Sequence, residues 1–158
     1  AADSLAVIDE HGAYIGEEYT LALAAMYVFG KKKGLPRRAG GTAGSAATNL
    51  STSRMIDDIA EKAGGKVFRT PVGEANVAAE MLKHKCIIGG EGNGGVIDLR
   101  VGPIRDSLVG IALILELMAE AGKTVSELAD EIGGYYMSKD KFAADKSQAV
   151  FVILLFFF

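Results

Sequence analysis

With one cysteine among its 158 residues, Cys86, the chain can form no internal disulfide, which fits a reducing, cytoplasmic setting. Cys86 sits in an apolar run, where a buried structural thiol is expected in preference to a reactive one. Histidine is almost as scarce. His11 falls among turn formers and His84 near the end of an expected helix, so both read as solvated residues and not as ligands or bases. The C-terminus of that helix would favour a charge on His84. There is no excess of positive charge either: a formal net charge of -3 gives no general attraction to nucleic acid or membrane surfaces, and neither is an expected partner. The ten apolar residues at 149–158 are about half of the roughly 20 needed to cross a bilayer as a helix. Exposed, such a β-forming run would aggregate. A core strand, a partner-binding strand, and a product of truncation or frame change all remain open for it. The first eight residues lack the basic flank and long apolar region of a signal peptide.

What is present has the composition of a soluble globular protein, 49% hydrophobic and 23% charged, and the length of one domain plus an appendage. Residues 5–9 and 13–15 bracket Glu10-His-Gly12 and read as a short β-hairpin. Good helix formers over 19–29 predict a helix that stops before Gly30. Residues 30–45 then turn basic, small and turn-forming, as a linker does, and a domain boundary is expected there. A strand is expected over 46–50. Next comes a helix capped by Ser53, with Met55, Ile56, Ile59 and Ala60 on one face, stopped at Gly64-Gly65. Residues 66–70 read as a strand, 74–85 as a helix with Val77, Ala78 and Met81 inward, and 86–89 as the next strand. The spacing predicts a long helix from Asp106 or Ser107 to Ala121, apolar around most of its circumference and therefore largely buried. Thr124-Val-Ser-Glu127 has capping-box spacing and opens a helix to Ile132, and 135–137 read as an edge strand before the charged residues 138–141. This alternation of strands and helices implies a parallel sheet.

Cys86-Ile-Ile-Gly-Gly-Glu-Gly-Asn-Gly-Gly95 runs an apolar strand into a glycine loop that presents one carboxylate and one amide. Glycines let backbone approach a ligand closely, and an ionised Glu91 can accept hydrogen bonds from neighbouring sugar hydroxyls while Asn93 donates and accepts. Gly90, Gly92 and Gly95 also satisfy the G-x-G-x-x-G spacing, but a dinucleotide fingerprint must open a helix, and residues 96–103 read as a second strand and a turn. A tight turn with no ligand is the remaining alternative. Ser51, Thr52 and Ser53, followed by Arg54, lie where a strand ends and a helix begins, a place where an open α/β sheet can receive a phosphate. Helix capping plus a surface arginine accounts for the same residues.

Asn49-Leu-Ser-Thr-Ser-Arg54, Val72-Gly-Glu-Ala-Asn76, Gly89-Gly-Glu-Gly-Asn-Gly-Gly95 and Arg105-Asp-Ser107, in that order, resemble the third domain of the α-D-phosphohexomutases, the phosphomannomutase and phosphoglucomutase enzymes. The resemblance spans roughly 47–146. It implies a sugar grip made by Glu91 and Asn93 on the glycines Gly90, Gly92 and Gly94. Gly95 falls where many members have histidine, so no role of that histidine carries over. Upstream, Ala2-Asp-Ser-Leu-Ala-Val-Ile-Asp9 resembles the end of the family's second domain, of whose magnesium loop only Asp3 remains. The family works with four domains, a phosphoserine in the first and a phosphate clamp in the fourth, and neither motif occurs in these residues.

The expected fold is therefore α/β: three α/β/α layers on a mixed, mostly parallel sheet, preceded by a hairpin and helix. The expected division is a second-domain remnant at 1–30, a linker at 31–45, a sugar-binding domain at 46–148 and an apolar tail at 149–158. The expected function is hexose-phosphate recognition within a phosphohexomutase, with weak hexose-phosphate binding, no catalytic residue and no cofactor for the isolated chain, and magnesium in the parent family. A non-catalytic module for a sugar phosphate or protein, or a self-associating structural fragment, are the alternatives.

Overall fold

The expected alternation builds a four-stranded sheet in the computed structural model, which describes residues 3–32 and 44–136. The elements are α1 (Glu17–Lys32), β1 (Ser45–Asn49), α2 (Met55–Lys62), β2 (Lys66–Thr70), α3 (Glu74–His84), β3 (Ile88–Glu91), β4 (Gly95–Ile97), α4 (Ser107–Ala121) and α5 (Val125–Ile132). Strand order is β2-β1-β3-β4, with β1 parallel to both neighbours and β4 antiparallel to β3. The sheet is thus mixed and mostly parallel.

Strand alternation sorts the core into two halves. Ala46, Ile88 and Val96 face α1, α2, α4 and α5, where Leu21, Phe29, Ile56, Leu113 and Leu128 pack. Ala47 and Ile97 face α3, against Val77, Met81 and Cys86. This is the three-layer arrangement. β1 (Ser-Ala-Ala-Thr-Asn) has little intrinsic β preference, yet it is buried along its whole length because it pairs on both sides and is covered on both faces. Local signals set several boundaries. The Thr124 and Glu127 capping box opens α5, Asp106 caps α4 by accepting from the Leu108 and Val109 amides, and Gly64 with φ 74° follows the end of α2.

Several expectations need correction. The hairpin reduces to one bridge, Ile8 with Tyr14, around a turn in which Asp9 Oδ1 accepts from the His11 and Ala13 amides. α1 runs through Gly30 to Lys32, and residues 33–43 of the expected linker lie outside the described residues. Leu21 to Ala25 are fully buried against the sheet and α4, so α1 packs with the α/β layers. β3 begins two residues later than expected, which carries Glu91 into the strand. Ser53 does not cap α2: Arg54 is the N-cap and makes no side-chain capping bond. α4 is not largely buried, since Leu108, Ile111 and Leu115 form an exposed stripe, with Leu108 71% accessible. Residues 133–136 are irregular, and Tyr136 is exposed. His84 is half-buried, its ring stacked on Phe68 at 3.8 Å and 2.9 Å from Glu80. Cys86 is buried as expected, and burial pushes its thiol pKa up. Met137, the charged 138–141 stretch and the apolar tail lie outside the described residues. Among those described, no helix is long and apolar enough to cross a membrane.

Candidate functional site

Ligands of open α/β sheets bind outside the carboxyl ends of the strands, and here the ends of β1 and β3 bring together residues 49–54 and 91–95. Asn49, the last residue of β1, ties the two segments. Its Nδ2 donates to Glu91 Oε1 at 2.7 Å, while its Oδ1 accepts from the Ser51 amide, the Ser51 hydroxyl and Thr52 Oγ1 at 3.1, 3.0 and 2.8 Å. Thr52 Oγ1 in turn accepts from the Gly92 amide at 2.9 Å. Thr48 Oγ1 lies 2.8 Å from both Thr52 Oγ1 and the Gly90 carbonyl. The glycine turn is therefore bonded to the β1 loop through buried polar side chains, which costs little because nearly every group is satisfied.

Arg69 on β2 closes the other side of that loop. Its guanidinium donates to the carbonyls of Asn49, Thr52 and Ser53 at 3.1, 2.6 and 2.9 Å and pairs with Asp57. Glu18 of α1 accepts from the Ser53 amide at 3.0 Å, and its carboxylate lies so close to Gly92 that a Cβ there would sit 2.1 Å from Oε2. Ser53 Oγ is buried with no hydrogen-bond partner among the described residues. Gly94, at φ +87°, packs on the Leu5 carbonyl, and its own carbonyl accepts from the Leu5 amide at 2.9 Å, so the N-terminal segment lies across the turn.

Glu91 is only 5% accessible. Besides Asn49, its Oε1 accepts from the Gly73 amide at 3.3 Å, and its Oε2 is 3.2 Å from Arg105 Nη1. Arg105 is a hub. Its Nε reaches Glu74 at 3.3 Å, Nη2 reaches Asp3 at 2.7 Å and Nη1 reaches Asn93 Oδ1 at 3.4 Å, while its backbone amide donates to Glu74 at 2.6 Å. One guanidinium thus pairs with three carboxylates, an arrangement suited to its planar fork of donors.

Of the residues singled out from the sequence, Glu91, Asn93, Gly90, Gly92, Gly94, Ser51 and Ser53 come together here, with Asn93 exposed at the tip of the turn. Arg54 stands apart, exposed and 3.7 Å from Asp57. Asp3 joins the site as a partner of Arg105. Among the described residues, no group of three or more His, Cys, Asp or Glu, Asp3 included, is placed to hold a metal ion. Asn49, Arg69, Arg105, Glu18 and Glu74 were not assigned site roles from the sequence, whereas Thr52, read there with Ser51 and Ser53, joins the network. Asn49, Glu74 and Arg105 stand inside the quoted motifs and could have been marked, whereas nothing in β2 points to Arg69.

The profile of the phosphoglucomutase/phosphomannomutase alpha/beta/alpha domain III matches residues 16–135. A phosphoglucomutase/phosphomannomutase of Thermococcus kodakarensis is 43% identical over 142 residues, covering 89% of this chain and 29% of the relative. A provisionally assigned phosphoglucosamine mutase of Methanopyrus kandleri is 34% identical over 134 residues, covering 85% of this chain and 28% of the relative. A solved structure from Thermus thermophilus, provisionally named a phosphomannomutase, superposes with a TM-score of 0.72 at 33% identity, over 83% of this chain and 28% of that one. The chain therefore spans less than a third of the length of these relatives. With the matched profile starting at α1 and the Gly89–Gly95 motif at the carboxyl end of its sheet, this chain belongs to the phosphoglucomutase/phosphomannomutase family, as its α/β/α domain III.

Proposed function

We infer that this chain is the part of a phosphohexomutase that grips the sugar of a hexose phosphate, with Glu91 and Asn93 meeting its hydroxyls, and that it does not interconvert hexose phosphates by itself. Glu91 carries this assignment: a carboxylate held at the carboxyl end of β3 by Asn49, the Gly73 amide and Arg105, with an exposed amide two residues on. A carboxylate held ready in one orientation binds hydroxyls without first being ordered, so less affinity is lost on association. Phosphoryl transfer needs a nucleophile, in-line positioning and neutralisation of the phosphate charge, and the described residues of the site offer a hydroxyl grip instead. The magnesium that the family resemblance implies does not fit the residues described. Asp3 is engaged by Arg105, and a single carboxylate cannot replace the octahedral shell of that ion. Glu91→Gln keeps the shape and removes the charge, and should weaken glucose 6-phosphate binding roughly tenfold, about 1.4 kcal/mol. Calorimetry or NMR titration checks this. Unchanged affinity, or ligand-induced shifts that avoid 89–95, would make the turn purely structural.

A second reading, association through α4, is favoured by the exposed stripe of Leu108, Ile111 and Leu115 beside exposed Ile104. Contiguous apolar surface of this kind marks an interface more often than it faces water.

A further inference from the structure

We propose that Arg105 is the positioning residue of the sugar grip, acting through Glu91, and that position 95 is glycine because the Arg105 side chain must cross it. This rests on the sugar-recognition reading above. An ideal Cβ at Gly95 would lie 2.3 Å from Arg105 Cδ and 3.1 Å from Cγ, well inside contact distance. The arginine stem therefore passes directly over β4 at the one residue there that leaves room for it. Both ends of its path are fixed: the backbone amide by Glu74, and the guanidinium by Glu74, Asp3, Asn93 and Glu91. The Arg105 side chain is only 16% accessible, so these contacts are poorly screened by water.

The chemistry of Glu91 shows what this fixation accomplishes. A carboxylate offers about two acceptor positions on each oxygen. Oε1 already accepts from Asn49 and the Gly73 amide, whereas Oε2 meets only Nη1 of Arg105 among the described residues. The acceptor position left for a sugar hydroxyl is thus on Oε2, beside Arg105 Nη1, which also reaches Oδ1 of the exposed Asn93. Arg105 selects which oxygen reads the ligand and holds it in place. A lysine could not substitute, because one ammonium cannot span Glu91, Glu74 and Asp3 at once.

Binding of glucose 6-phosphate to the 158-residue chain should be measured by NMR titration for the native protein, Gly95→Ala, Arg105→Lys, Glu91→Gln, and each of the first two combined with Glu91→Gln. Gly95→Ala and Arg105→Lys should each lower affinity roughly tenfold in the native background and less than about twofold in the Glu91→Gln background. Thermal midpoints and amide spectra establish that each variant is folded; Arg105→Lys adds no bulk and decides the matter if Gly95→Ala does not fold. Equal losses in both backgrounds, or no loss from either variant while Glu91→Gln still weakens binding, would overturn the role of Arg105 and leave the sugar grip standing. A native chain that fails to bind glucose 6-phosphate, or a neutral Glu91→Gln, would overturn the grip and this inference with it.

Discussion

Arg69→Met tests how the site is held. The substitution keeps an unbranched apolar stem on β2 while removing a guanidinium that donates to three carbonyls of the 49–53 loop, at 2.6 to 3.1 Å, and pairs with Asp57. Hydrogen bonds from a charged donor contribute about 1.5 to 3 kcal/mol each. The Arg69 side chain is 22% accessible, so water can reach part of what is lost, and Asp57, in the first turn of α2, keeps the favourable field of the helix N-terminus. The expected destabilisation is therefore about 2 to 3 kcal/mol in total, well short of the simple sum. For a chain of this length that corresponds to a drop in Tm of roughly 4 to 12 °C. Urea unfolding followed by circular dichroism should show a lower midpoint with an unchanged slope, since the buried surface stays the same. Arg69→Lys keeps the charge beside Asp57 but cannot reach three carbonyls, and should fall between the two. A loss below about 0.5 kcal/mol in Arg69→Met, the size of an ordinary surface change, would mean that Asn49 and Thr52 hold the loop unaided and that this account of Arg69 is wrong.

Asp98 sets a pH dependence. Its burial raises the carboxyl pKa, but hydrogen bonds from the Arg100 side chain and amide outweigh this and hold it below the ordinary value. A depressed carboxyl contributes stability that is complete above its unfolded pKa of about 3.9 and is lost as pH falls through the lower folded value. The urea midpoint should therefore drop below about pH 4, and Asp98→Asn should flatten that drop; an equally steep drop in the variant would exclude Asp98 as a source. The α4 stripe is tested by light scattering: the chain should self-associate with rising concentration, and Leu108→Lys with Leu115→Lys should suppress it, whereas a native monomer throughout would count against an interface between copies.

The sequence by itself determined the local structure. Residues 66–70 form β2 as expected, the Thr124 and Glu127 capping box opens α5, Asp106 starts α4, and glycines follow the ends of α2 and α4, because each depends on groups a few positions apart. The motif from Gly89 to Gly95 likewise located the glycine turn at the end of β3 and pointed to the family. Only the tertiary structure decided which faces are buried. The helix expected to lead the domain became its central packing element, while α4, whose apolar residues surround the axis, left Leu108, Ile111 and Leu115 exposed because, among the described residues, the sheet and α1 cover one side of it. Residues expected to act as independent ligands became a network for the same reason. Asp3 and Arg105, 102 positions apart, meet because the N-terminal segment crosses the Gly94 turn, and Glu91 is held by partners from β1, the β2–α3 connection and the segment before α4. No periodicity or spacing encodes such contacts, since they arise only when segments distant in the chain close over one another.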